Sequence, residues 1–97
     1  MKITSESLIR QVEGNIVSDM DGEKVMMSIK NGKYYNLGSM GGIIWDKIAK
    51  VNSITNLVEM LTDEYEIEKL NCQNQVVAFI EKLKEENLIM ISNEKER

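Results

Sequence analysis

Residues 16–37 have the sequence IVSDMDGEKVMMSIKNGKYYNL, and this stretch decides the fold. Three runs with strand-like composition are separated by two turn signals, Asp21-Gly22 and Asn31-Gly32. Aspartate-glycine and asparagine-glycine pairs are the strongest short-range signals of a β-hairpin. We therefore predict an antiparallel meander of three short strands, over Ile16–Met20, Lys24–Ile29 and Lys33–Leu37.

After residue 37 the apolar residues recur every three or four positions in three successive segments, which is typical of amphipathic helices. Ser39, Asn52-Ser53 and Asn71 are the expected N-caps, and Asn87 is the expected stop of the third helix. Leu88–Ile91 is expected to add a short final strand or a packed tail. The expected core residues of the helices are Gly41, Ile44, Trp45, Ile48, Ile54, Leu57, Val58, Leu61, Tyr65, Val76, Phe79, Ile80 and Leu83.

These elements predict an α+β fold, a three-stranded antiparallel meander followed by three α-helices, with the helices covering one side of the sheet. The chain has 97 residues and no proline, a length that fits one domain. We expect a single domain over residues 1–97, with an ordered core of about residues 8–91.

The charge pattern argues against nucleic acid and membrane as partners. The 12 basic and 16 acidic residues give a net charge of −4, and no segment forms the basic surface that a phosphate backbone requires. No apolar run approaches the ~20 residues of a membrane span, and the first residues lack the apolar core of a signal peptide. A single cysteine suits a reducing compartment, so we expect a cytoplasmic protein.

The residues for catalysis are missing from this sequence. There is no histidine, which removes the commonest general base and metal ligand. Cys72 alone makes neither a thiol nucleophile site nor a zinc site, and Gly38–Gly42 lacks the features of a phosphate-binding loop. We therefore predict a protein that is not an enzyme and that uses no metal or other cofactor.

The third strand, Lys33–Leu37, lies at an edge of the predicted meander. Edge strands are normally protected by proline, charge or a bulge, and here one lysine is followed by two tyrosines. Such an edge beside an amphipathic helix is able to pair with an extended peptide. The alternative is that Tyr34 and Tyr35 simply straddle the sheet, one in the core and one in water.

The order of the motifs resembles the PqqD-like family, the recognition domains for leader peptides of ribosomally made, modified peptides. The similarity covers about Ile16 to Ile91 and is greatest to the stand-alone recognition proteins of lasso-peptide biosynthesis. Gly38-Ser39 and Asn87-Leu88 depart from the family pattern. These departures concern the subfamily, that is, whether the modified peptide is a lasso peptide or one of another class. The motifs that carry the resemblance are Lys33–Leu37, Gly42–Ile48, Ile54–Leu61, Val76–Leu83 and Asn87–Ile89.

The resemblance implies a winged-helix-like fold in which a leader peptide adds as a strand beside the third strand and packs on the third helix. It also implies three partners: a precursor peptide, a cysteine protease that removes the leader, and an asparagine-synthetase-like cyclase. The protein would deliver the leader to these enzymes. By position, the peptide-binding residues implied are Lys33, Tyr34, Tyr35, Asn36 and Leu37 on the strand, and Gln73, Val77, Ile80, Glu81 and Lys84 on the helix.

Two alternatives stay open at this point. A winged-helix DNA-binding regulator has the same elements, but it needs a basic recognition helix. In the third helix Lys82 and Lys84 are matched by neighbouring glutamates. The other alternative is an interaction subunit of a larger enzyme complex, without affinity for a free peptide.

Overall fold

The computed structural model describes residues 3–4 and 6–93, and this part of the chain contains six strands and three helices. The expected domain over residues 1–97 includes terminal residues that lie outside the described ones, and its limits stay a prediction. In chain order the elements are β1 (Ser7–Gln11), β2 (Asn15–Met20), β3 (Glu23–Ser28), β4 (Lys33–Leu37), α1 (Gly38–Lys47), β5 (Asn52–Ser53), α2 (Ile54–Glu64), α3 (Lys69–Glu85) and β6 (Ile89–Asn93).

The predicted meander is confirmed as an antiparallel sheet in the order β2-β3-β4. Its first turn is the expected one, because Asp21 and Gly22 have φ angles of 56° and 84°. Both values lie in the left-handed region that a two-residue type I′ hairpin requires. The α+β prediction of a meander followed by three helices is thus correct.

The second hairpin has a longer turn than the sequence predicts. Its loop is the four residues Ile29–Gly32, and within it only Gly32 has a positive φ, of 66°. The expectation of a second turn of the same kind is therefore wrong, and β3 ends at Ser28. The Asn31 backbone N–H donates to Ser28 Oγ, and the Asn31 side chain donates to Tyr35 Oη and to the carbonyl oxygen of Glu86. These contacts hold Asn31 in the wider loop.

A second small sheet, in the order β5-β1-β6, was not expected in full. The sequence predicted a short final strand or a packed tail, and β6 confirms the strand. Its partner is β1, at the other end of the described chain, with Ile9 opposite Ile91. β5 contributes two residues on the other side of β1. Such pairing depends on contacts between distant segments, which local periodicity does not report.

The helix starts confirm one predicted cap and correct two. The hydroxyl of Ser53 accepts a hydrogen bond from the Asn56 N–H at 3.0 Å, which caps α2 as expected.

The starts of the other two helices differ from the prediction. Helix α1 starts one residue before Ser39, and the Asn36 side chain accepts the Gly38 N–H instead. Helix α3 starts at Lys69 with no side-chain cap, so Asn71 lies within its first turn.

The core is formed by the helices, β1 and the inner face of the meander. Two expected core residues are placed differently: Tyr65 ends α2 in an extended conformation and is 40% exposed, and Phe79 is half-buried. Ile9, Met26 and Leu88 belong to the core in addition to the expected residues. The expected residues that are buried are Gly41, Ile44, Trp45, Ile48, Ile54, Leu57, Val58, Leu61, Val76, Ile80 and Leu83.

The described helices include none that is both long enough and apolar enough to cross a membrane.

Candidate functional site

Strand β4 is the last strand of the meander, and no strand among the described residues pairs with its outer edge. Tyr34 and Tyr35 straddle the sheet, as one sequence interpretation allowed. The Tyr34 side chain is 75% exposed, whereas Tyr35 is half-buried and packs against the core. The outer edge of β4 therefore has no strand partner among the described residues, and the two tyrosines lie on opposite faces of the strand.

A groove separates β4 from α3 and has a volume of about 330 Å³. Ligand pockets in proteins start at about this size, so the groove has room for a few side chains. Its wall on the helix side includes two charged residues, and the rest of the lining is mostly apolar or aromatic. The lining residues are Tyr34, Tyr35, Asn36 and Leu37 from β4, Phe79, Lys82, Leu83 and Glu86 from the helix side, and Leu88.

One end of the groove is polar because Glu86 reaches across it to β4. The Tyr35 hydroxyl donates to Glu86 Oε1 at 2.7 Å, and Lys33 Nζ lies 3.6 Å from the same oxygen. Asn31 Nδ2 donates to Tyr35 Oη at 3.0 Å and to the Glu86 carbonyl oxygen at 2.8 Å. Strand and helix are thus connected directly at this end.

These contacts favour the ionised form of Glu86. The hydrogen bond from Tyr35 is the largest cause, and the charge of Lys33 adds to it, so that the pKa of Glu86 is lowered from its ordinary value. Partial burial acts in the opposite direction but is outweighed. The carboxylate is therefore a charged acceptor at neutral pH.

The end of α3 fixes where Glu86 and Leu88 lie. Asn87 has a φ of 61°, which confirms it as the residue that stops the helix. The N–H of Asn87 donates to the Lys84 carbonyl oxygen and the N–H of Leu88 donates to that of Leu83. This pair of hydrogen bonds is the Schellman motif. It turns the chain so that Glu86 and Leu88 both line the groove.

On the strand side, the predicted residues lie at the groove. Tyr34, Tyr35, Asn36 and Leu37 line it directly, and Lys33 pairs with Glu86 at its polar end.

On the helix side, the predicted residues lie elsewhere. Ile80 is fully buried, so it presents no surface to a peptide in this structure. Glu81 and Lys84 line a separate depression with Ile3. Gln73 and Val77 do not line the groove either, and Val77 packs against the core. None of these five residues therefore lines the groove beside β4.

The helix residues that do face β4 were missed by the sequence prediction. Phe79, Lys82 and Glu86 lie at spacings of three and four residues along one flank of α3. Of the predicted residues, Gln73, Val77 and Lys84 lie along the other flank of the same core stripe, and Ile80 lies in the stripe itself. Both flanks are adjacent to Ile80 and Leu83, so helical spacing gave no reason to prefer either.

The remaining candidate for chemistry is the thiol of Cys72, which lies in the core. Burial raises the pKa of this thiol, which keeps it protonated and poorly reactive. Among residues 3–4 and 6–93, no three aspartate, glutamate or cysteine side chains lie close enough together to hold a metal ion.

The fold that carries this groove is similar to that of known proteins. The family model PqqD, coenzyme PQQ synthesis protein D, matches residues 23–89, which span β3, β4 and all three helices. The chain is also similar to two solved structures. "TbiB1 in Complex with the TbiA(beta) Leader Peptide" is 19% identical with a TM-score of 0.74, covering 82% of this chain and 93% of that one.

The second structure is "Lasso peptide synthetase B1 complexed with the leader peptide". It is 23% identical with a TM-score of 0.73, covering 84% of this chain and 96% of that one. At such identities the likeness concerns the fold. No curated protein matches the chain.

Proposed function

The chain belongs to the PqqD family, and on that premise we propose that it binds the leader segment of a ribosomally made precursor peptide. The leader adds as a strand to the outer edge of β4, and its alternate side chains enter the groove toward α3. The observation that carries this proposal is the unpaired edge of β4 beside a groove that is largely apolar.

The physics of strand addition supports this reading of the site. Backbone hydrogen bonds along an exposed sheet edge give affinity, and pockets for alternate side chains give specificity. β4 has only Lys33 as a charged residue to discourage pairing, and Glu86 already engages that charge. The two structures of similar fold are described as complexes with leader peptides, which supports the same ligand class here.

We further propose that the peptide contacts on the helix are Phe79 and Lys82. These residues line the groove opposite β4. The five helix residues that the family resemblance implied do not line it, so they are not part of this proposal.

We also propose that the protein acts by binding alone, in the cytoplasm, and delivers the leader to a cysteine protease and an asparagine-synthetase-like cyclase. The absence of histidine from the sequence supports the non-catalytic role. The raised pKa of the buried Cys72 thiol supports it too.

The experiment uses synthetic peptides that cover the N-terminal segments of short open reading frames next to the gene. Calorimetric titration is expected to find one peptide that binds. Methylation of single backbone nitrogens along that peptide is then expected to weaken binding at every second position, since alternate amides of an added strand face its neighbour. Binding by no peptide, or a loss without a period of two, would contradict strand addition.

Delivery is tested separately with the cysteine protease encoded nearby. Adding the protein is expected to accelerate removal of the leader from the full precursor, and the N-methylated peptide that fails to bind serves as the control substrate. Equal cleavage with and without the protein would contradict delivery. Binding to duplex DNA that weakens as salt rises would instead favour the regulator alternative.

A further inference from the structure

The polar end of the groove consists of side chains that contact one another across it. Asn31, Tyr35 and Glu86 form one connected group, which we call the clamp. It joins the loop before β4, the inner face of β4 and the C-terminal end of α3. The two walls of the proposed binding groove are therefore hydrogen-bonded to each other.

The clamp joins β4 to the end of α3 on the side where no described strand pairs with it. Its inner edge pairs with β3, and its outer edge has no partner among the residues described. The helix side is fixed independently, because the Schellman hydrogen bonds of Asn87 and Leu88 set the position of Glu86. The hydrogen bond between Tyr35 and Glu86 therefore fixes the position of β4 relative to the C-terminal end of α3.

The side chains of the clamp hydrogen-bond to one another. The single O–H of Tyr35 donates a hydrogen bond to Glu86 Oε1, and the Tyr35 oxygen accepts one from Asn31 Nδ2. Lys33 Nζ lies 3.6 Å from the same Glu86 oxygen. The groups that make the clamp are therefore already engaged with one another, which is the property of a spacer.

Resting on the proposed function, we infer that Tyr35 and Glu86 are positioning residues that hold the strand and helix walls of the groove at a fixed separation before the leader peptide arrives. Ordering a binding site in advance lowers the entropy that binding costs. If β4 moved freely relative to α3, each binding event would have to order the strand, and this loss of entropy would weaken the affinity.

The test is a double-mutant cycle on peptide affinity with Tyr35→Phe, Glu86→Ala and the two together. The probe is the peptide selected by the titration above. Each single variant is expected to lose roughly tenfold in affinity, the scale of a hydrogen bond to a charged group. The double variant is expected to lose no more than either single one, because both remove the same contact.

Two further variants make the cycle specific. Glu86→Gln keeps an oxygen that accepts from Tyr35, so its affinity is expected to stay close to that of the wild type. Glu64→Ala removes an ion pair with Lys47 outside the groove and is the matched control for loss of a surface carboxylate. Additive losses in the double variant would show direct peptide contacts and overturn the spacer.

A second measurement decides the inference even if no peptide binds. In the free protein, amide hydrogen exchange along β4 is expected to rise by about threefold or more in Tyr35→Phe and Glu86→Ala, because the strand opens more easily. Glu64→Ala is expected to leave it unchanged. Unchanged exchange in both clamp variants overturns the inference, whereas failure of the wild type to bind any peptide contradicts only the proposed function.

Discussion

The ring of Phe79 lies directly over Gly41. A Cβ atom added to Gly41 would be 2.7 Å from Cε1 of Phe79 and 3.5 Å from Cβ of Leu37. The first distance is too short, so a larger residue at this position would force the Phe79 ring to move. Phe79 and Leu37 both line the groove. Gly41 in α1 therefore leaves the space that the Phe79 ring of α3 occupies where it lines the groove.

Gly41→Ala is expected to weaken peptide binding more than it changes stability. Alanine gains about 0.5–1 kcal/mol over glycine inside a helix, which offsets the cost of moving a half-buried ring. The displaced ring has to move within the groove, so affinity should fall several-fold. Calorimetric titration and thermal unfolding of the same variant measure the two effects.

Gly42→Ala is the matched control for that substitution. Its Cβ would meet the flexible side chain of Lys24, 2.9 Å from Cγ, which does not line the groove. Affinity should stay at the wild-type level. Equal losses of affinity in the two alanine variants would mean that Phe79 does not shape the site.

Phe79→Ala and Ile80→Ala are expected to separate binding from folding. Ile80 is fully buried, and its truncation should cost about 2–5 kcal/mol of unfolding free energy. Phe79 is half-buried and lines the groove, so its truncation should cost less stability but abolish most peptide affinity. Urea unfolding and titration of both variants test this. A larger loss of stability for Phe79→Ala than for Ile80→Ala would contradict it.

Lys82→Ser and Lys84→Ser test which flank of α3 meets the peptide. The two lysines are two residues apart on one helix, so each is a control for the other in charge and helix propensity. Lys82 lines the groove, and Lys84 lines the depression near Ile3. Affinity should fall for Lys82→Ser only. A loss confined to Lys84→Ser would restore the flank implied by the family resemblance.

The pH dependence of stability should contain a contribution from Glu86. Its pKa is lowered in the folded protein from the ordinary value of 4.5. Its stabilising contribution is therefore complete above that value and is lost as the pH falls from there through the folded pKa. Urea unfolding should show the wild type more stable than Glu86→Gln at pH 7, with the difference shrinking below pH 4.5. A difference that is constant with pH would contradict this.

Much of the fold follows from local sequence. The Asp21-Gly22 turn was predictable because few residue pairs adopt two consecutive positive φ angles. The start of α2 at Ser53 and the stop of α3 at Asn87 followed from side-chain chemistry at single positions. The sheet of β5, β1 and β6 did not, because its strands are short and their partners lie far apart in the chain.

The sequence by itself determined that β4 is an edge strand, that α3 has an apolar stripe and that catalytic residues are scarce. Only the tertiary structure decided which flank of α3 faces β4. Helical periodicity places two flanks on either side of Ile80, one with Phe79 and Glu86 and the other with Val77 and Lys84. The choice between them depends on how the meander packs against the helices, and that packing joins Tyr35 to Glu86 across 51 positions of the chain.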